Sequence, residues 1–230
     1  MIKVLDHGYV RLVDSMGTDV SIVNAARTSF EKSVTEMSDK DVKLLKYLIV
    51  NGHWSPFRHS TAAFEISAPL FVARQWWKHA VASAHIEDQL GWNESSKRYV
   101  TSEPIFYVPG EWRKQATDKK QGSAGVVSTK QQLNIHKQYE ELVTASLQTY
   151  NDMIGAGVAI EQARMVLPQS IYVTWHWVAS LQAIINWYEL RSGGDAQQEH
   201  QEYTTAIWQL ITQKWPGVAT AYTNSKSELI

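Results

Sequence analysis

The sequence predicts one α+β domain spanning residues 1–230. Three observations carry this expectation. A chain of 230 residues that is 44% hydrophobic has enough apolar side chains for a sizeable core. No Pro-, Gly- or Ser-rich linker, repeat or low-complexity tract divides it. Strand-like segments are interspersed with amphipathic helical stretches. With 20% charged residues and a net charge of −1, the chain lacks the charge excess of disordered proteins and of general polyanion binders. No apolar run reaches the roughly 18 residues that a membrane helix needs. Residues 1–6 lack a signal-peptide core, so a cytoplasmic location is expected.

The elements follow in order. Residues 3–13 read as one or two short strands around His7-Gly8, and residues 20–30 as a short helix. Ser38-Asp39-Lys40-Asp41 joins an N-cap to first-turn acids. The helix behind it places Val42, Leu45, Leu48 and Ile49 on one stripe, and Asn51-Gly52 ends it. Residues 61–67 alternate as a strand, with Phe64 and Ile66 on one face. Pro69 suits the start of a helix over 70–79. Residues 80–132 are polar and poorly periodic, a long loop region with one strand near 105–108. Residues 132–154 form a long amphipathic helix stopped by Gly155-Ala156-Gly157. A short helix over 160–167 breaks at Pro168. Two further helices, 177–191 and 196–214, flank Ser192-Gly193-Gly194-Asp195, and Pro216-Gly217 marks the last break.

Cysteine is absent, which excludes disulfides, thiolate metal sites and a cysteine nucleophile. Ten Trp and ten Tyr are the compositional excess. They suit a Trp-rich core, a ring-shaped ligand or a subunit interface. Five polar clusters could carry chemistry. In Arg74-Gln75-Trp76-Trp77-Lys78-His79, helical spacing pairs Arg74 with Lys78 and Gln75 with His79, giving an anion pocket or a solvated face. Asn93-Glu94-Ser95-Ser96-Lys97-Arg98-Tyr99 offers the donors that a phosphate and a base edge need, or is a surface turn. His53-Trp54-Ser55-Pro56-Phe57-Arg58-His59 carries two histidines without a nearby acid, so no metal is expected. Arg164 lies on the short helix before Pro168, and Arg191 at a helix C-terminus, where a cation can also serve as a cap.

Taken in order, these segments resemble the flavin-dependent thymidylate synthases over nearly the whole chain. Asn24-Ala25-Ala26-Arg27, the Gly52–His59 segment, Ala68-Pro69-Leu70-Phe71-Val72-Ala73-Arg74-Gln75-Trp76, Ala163–Pro168 and Leu190-Arg191 with Ala196-Gln197 carry the likeness. The signature departs from the family's Arg-His-Arg. Lys78-His79-Ala80 stands there, losing one bidentate fork and one cation, and a longer stretch precedes Asn93-Glu94. Ser180 and Gln182 stand where the family often has Asn and Arg.

The resemblance implies a mostly antiparallel central sheet flanked by long helices, in a homotetramer with shared active sites. It implies reductive methylation of dUMP to dTMP with FAD as cofactor and methylenetetrahydrofolate and NADPH as co-substrates. His53, Ser55, Lys78, His79, Ala80, Glu94, Ser180, Gln182 and Asn186 fall at the flavin. Gln75, Lys78, Glu94, Ser95, Ser96, Lys97, Arg98, Arg164 and Arg191 fall at dUMP. Without cysteine, thiolate addition to the uracil ring is closed, and the alternative is to polarise the pyrimidine by withdrawing the N3 proton or stabilising the N3 anion. The resemblance places Arg191 at the base edge for that role. Two alternatives are a flavin protein of the same fold that has lost methyl transfer, and a single-stranded nucleic-acid binder using Trp76, Trp77, Trp92, Lys97 and Arg98. The net charge argues against the latter, and neither a nucleic-acid nor a membrane partner is expected.

Overall fold

The computed structural model describes residues 1–77, 91–95, 103–117 and 122–227. Its core is an antiparallel sheet in the order β1-β2-β3-β7-β4. The strands are β1 (Ile2–Val4), β2 (Gly8–Met16), β3 (Thr61–Pro69), β4 (Gly91–Glu94) and β7 (Tyr172–Ser180). A separate hairpin pairs β5 (Arg113–Gln115) with β6 (Ser123–Val126). The helices are α1 (Asp19–Arg27), α2 (Asp39–Val50), α3 (Leu70–Trp77), α4 (Thr129–Gly155), α5 (Ile160–Ala163), α6 (Leu181–Arg191), α7 (Gln198–Lys214) and α8 (Pro216–Lys226). Among the described residues, no helix is long and apolar enough to cross a membrane.

Local signals account for most boundaries. Thr18 and Ser21 form a capping box at α1, and Ser38 and Asp41 form one at α2, as the sequence predicts. Past α2, Gly52 takes a φ of +67°, and the His53 amide donates to the Leu48 carbonyl at 2.8 Å. That left-handed turn delivers His53 to the next segment. Gly8 is needed for another reason: a Cβ there would lie 2.0 Å from the Tyr203 hydroxyl, which donates to the Ser67 carbonyl.

The predicted helix over 177–191 is corrected at its start. Residues through Ser180 belong to β7, which pairs with β3 from Tyr172↔Pro69 to Ser180↔Thr61. Its burial alternates: Trp175, Trp177 and Ala179 face the core, while His176 and Val178 face outward. Bulky apolar residues at successive inward positions look continuous in sequence, which hides the period of two. Pro69 closes β3 directly before α3 starts at Leu70, and the break at Pro216 separates α7 from a further helix, α8, which Pro216 opens. Asp19 caps α8, accepting from the Gly217 and Val218 amides, both at 2.9 Å. In the region expected to be loop, the described residues hold β4, β5 and β6, and Phe106 makes only an isolated bridge to Ile171.

The aromatic surplus is largely core. Trp76, Trp175, Trp187 and Trp215 are fully buried. Trp76 stacks on Trp187 at 4.3 Å and meets Trp175 and Trp177 edge-on at 5.4 and 5.3 Å. With 1% exposure, Trp76 cannot stack on a nucleic-acid base. The longest helix, α4, buries only Tyr150.

Asp41 also makes the fold acid-sensitive. It accepts from the Ser38 hydroxyl at 2.5 Å and amide at 2.9 Å, and it pairs with Arg27. These contacts, the Ser38 hydroxyl foremost, hold its carboxyl below the ordinary value. Its folded pKa is therefore the lower one. The stabilisation is complete above the unfolded value near 3.9 and is lost as pH falls through the folded value. Asp41→Asn is expected to cost about 1 kcal/mol at pH 7, the usual worth of a cap, and to flatten the acid limb below about pH 4. Urea unfolding at pH 7 and pH 3 checks this; an unchanged acid limb would remove Asp41 from the acid transition.

Candidate active site

Antiparallel pairing of β3 with β7 sets the site's two ends. At one end, Pro69 faces Tyr172 and the chain enters α3. The Leu70 and Phe71 amides donate to the Ile171 and Gln169 carbonyls at 2.9 and 3.1 Å, fixing the first turn of α3. At the other end, Thr61 faces Ser180 and the chain enters α6.

The start of α6 meets the turn that carries His53. A 3-10 segment over Ser55–His59 packs there, and Arg58 Nε donates to Gln182 Oε1 at 2.6 Å. Gln182 is buried, and Asn186 lies one turn further along the same face. His53 and Ser55 are exposed, and the His53 ring meets Tyr47 edge-on at 5.9 Å. Ser180 is nearly buried and its hydroxyl N-caps α6, accepting from the Ala183 amide at 3.3 Å. These side chains offer amide, hydroxyl, imidazole and guanidinium donors without a carboxylate among them. That set suits a ligand rich in acceptors and negative charge.

The far end of α6 opens on a second environment. Arg191 and Gln75 line one cavity of about 510 Å³, together with Arg113, Asp195, Gln197 and Gln198. Gln75 Nε2 donates to Gln197 Oε1 at 2.5 Å. Burial holds the Arg191 guanidinium below its ordinary value, and the Asp195 carboxylate works against that. Gln182 and Arg191 lie nine positions apart on α6, roughly 14 Å at about 1.5 Å per residue. One helix thus joins the two environments.

A larger cavity of about 580 Å³ adjoins it, sharing Arg113, Gly122, Ser123 and Gln197. Arg113 builds the common wall. Its Nη2 donates to both Glu199 oxygens at 2.7 and 2.8 Å, and its Nε to the Ser123 hydroxyl at 2.9 Å. The β5–β6 hairpin is thereby tied to α7.

The remaining described candidates sit elsewhere. Glu94, Ser95 and Arg164 line a small cavity of about 120 Å³ with Leu70 and Tyr172. The Ser95 amide donates to the Thr174 carbonyl at 2.7 Å, extending the β4–β7 edge. Within one protomer, the candidates therefore fall in separate places: His53, Ser55, Gln182 and Asn186 at the start of α6; Gln75 and Arg191 in one cavity; Glu94, Ser95 and Arg164 in another. Lys78, His79, Ala80, Ser96, Lys97 and Arg98 lie outside the described residues. The sequence reading assigned no role to Arg58, Arg113, Asp195 or Gln197. Arg58 lies inside the Gly52–His59 segment and Gln197 six positions past Arg191, but nothing local marks either. Arg113 reaches the site only through the hairpin.

The sequence family described as thymidylate synthase complementing protein matches residues 11–217. The flavin-dependent thymidylate synthase of Thermotoga neapolitana is 38% identical over 221 residues, covering 96% of this chain and 93% of that one. That of Thermosipho africanus is 36% identical over 220 residues, covering 96% and 92%. Among solved structures, the UMP/dUMP methylase PolB from Streptomyces cacaoi bound with 5-Br dUMP aligns with a TM-score of 0.83 at 26% identity, covering 97% of each chain.

Proposed function

Because this chain belongs to the flavin-dependent thymidylate synthases, which are methyltransferases, we propose that it converts dUMP to dTMP by reductive methylation, with FAD as cofactor, methylenetetrahydrofolate as carbon donor and NADPH as hydride source. The observation that carries this reading is the meeting of Gln75 and Arg191 in one cavity, although they are distant in sequence.

Methylation at C5 requires that carbon to be electron-rich. Loss of the N3 proton to solvent places negative charge on N3 and the two carbonyl oxygens, and the N1 lone pair then feeds the C6=C5 bond and enriches C5. Arg191 holds that charge: a guanidinium stays protonated in proteins, and its planar fork matches an O–N edge. Partial burial strips water from it and strengthens its pull on the anion. Gln75 supplies neutral hydrogen bonds to the same ring. Arg164, Ser95 and the cations of 97–98 serve the nucleotide's phosphate side.

His53, Ser55, Gln182 and Asn186 would hold FAD, with Lys78, His79, Ala80 and Glu94 on its other contacts. Bound there, the flavin supplies the redox capacity of the reaction. Ser180 acts through its cap, which fixes the first turn of α6 and hence Gln182.

The division of candidate residues among separate places in one protomer supports an active site completed by neighbouring subunits, in a homotetramer. The largely unburied α4, with Leu133 and Leu142 exposed, supports assembly too. A cytoplasmic setting suits these small-molecule substrates.

The test is tritium release from 5-labelled dUMP in the presence of FAD, methylenetetrahydrofolate and NADPH. The purified chain is expected to take up FAD with a shifted visible spectrum and to release tritium only with the complete mixture. Protein that ignores added FAD and releases no tritium would overturn the reading.

A further inference from the structure

We propose that Gln197 is a positioning residue: it anchors the Gln75 carboxamide in the cavity so that its remaining polar groups meet the base of a pyrimidine nucleotide. The inference rests on the reading of this cavity as the dUMP site.

Gln197 occupies the N-cap position of α7, yet its side chain makes no cap hydrogen bond. Ser, Thr, Asp and Asn suit that position because their short side chains reach the first-turn amides. The extra length of Gln197 carries its carboxamide across the cavity instead, to the Gln75 amide nitrogen.

Its backbone is pinned on both sides. The Gln197 carbonyl accepts from the His200 and Gln201 amides at 2.9 and 3.1 Å. The Ala196 carbonyl accepts from Gln201 Nε2 at 2.7 Å, and the Ala196 amide donates to the Gly193 carbonyl at 2.9 Å. The Gln197 side chain is thus anchored at its base and reaches toward α3.

A carboxamide has a donor end and an acceptor end of nearly equal shape, and a free one turns over readily. The bond between the two carboxamides commits one Gln75 N–H to Gln197 and stops the Gln75 side chain from sweeping the cavity. The other N–H and Oε1 remain for the base. Fixing Gln75 in place before binding removes an ordering cost from association.

The experiment uses the full chain loaded with FAD. It reads dUMP affinity by calorimetry and splits KM from kcat in the tritium-release assay. Gln197→Met removes the acceptor at constant length. It is expected to raise the dUMP dissociation constant and KM about tenfold, the scale of one lost charge-neutral hydrogen bond, with the flavin spectrum and thermal midpoint unchanged. Gln197→Ala serves the same purpose if the Met variant does not fold. Gln197→Glu keeps an acceptor at the same atom and is expected to stay within about threefold of wild type. Gln75→Met should lose at least as much as Gln197→Met, and the double variant should be no weaker than Gln75→Met alone.

Fully additive losses, or a Glu variant as damaged as the Met variant, would overturn the inference. Intact wild-type binding with unchanged affinity in Gln197→Met would overturn it alone. A wild-type chain that binds no dUMP would overturn the nucleotide reading, and this inference with it.

Discussion

Replacing Arg191 by alanine is expected to abolish dTMP formation while the fold and the flavin spectrum persist. Arg191 closes α6 and is half-buried, so its side chain carries little of the core. What it contributes is charge placed in the cavity that also holds Gln75. Removing one preorganised electrostatic stabiliser typically costs about 10² to 10³ in kcat. Here the effect should reach or exceed that range, because no cysteine offers another route to an activated C5. Arg191→Lys should recover only part of the rate, since an ammonium keeps charge but loses the planar fork. Tritium release, circular dichroism and flavin absorbance on the same samples separate chemistry from folding. Turnover within a few-fold of wild type in Arg191→Ala would remove Arg191 from the chemistry.

The largest stability effect is expected at Trp76. It is 1% exposed and touches Trp175, Trp177, Trp187, His200 and Tyr203. These rings come from α3, β7, α6 and α7, so Trp76 joins four elements at one point. Trp→Ala in a close-packed core costs about 3–5 kcal/mol through lost burial and the cavity left behind. For a chain of this size, each kcal/mol lowers the thermal midpoint by about 2–4 °C. Trp76→Phe should cost distinctly less, because the stack on Trp187 partly survives. Since Gln75 precedes Trp76 on α3, the alanine variant should also lose dUMP affinity, whereas Arg191→Ala leaves stability intact. Thermal unfolding at fixed protein concentration checks this. A loss below about 1 kcal/mol would mean that the aromatic cluster is not the keystone described above.

Much of the fold was legible where a local rule operates. The α2 cap at Ser38 and the left-handed exit at Gly52 each involve residues a few positions apart, so their chemistry is visible in a short window. β7 was obscured because its partners lie elsewhere in the chain. Only pairing with β3 and β4 shows that Trp175 and Trp177 point inward while His176 points out. The role of Pro216 was hidden for a similar reason: its helix is capped by Asp19, near the other end of the chain.

The site divides along the same line. Composition and segment order determined the chemistry on offer: no thiol, an arginine at the end of a helix, and a Gln on an aromatic-rich helix. Which of these groups share a cavity was decided by tertiary packing alone. The β3–β7 register places α3 and the start of α6 at opposite ends of the sheet, and the length of α6 brings Arg191 back toward Gln75. The Gln75–Gln197 contact and the Arg113–Glu199 wall arise the same way. Side-chain hydrogen bonds across 122 and 86 positions leave no periodic or compositional trace, because their geometry exists only once the backbone between them has folded.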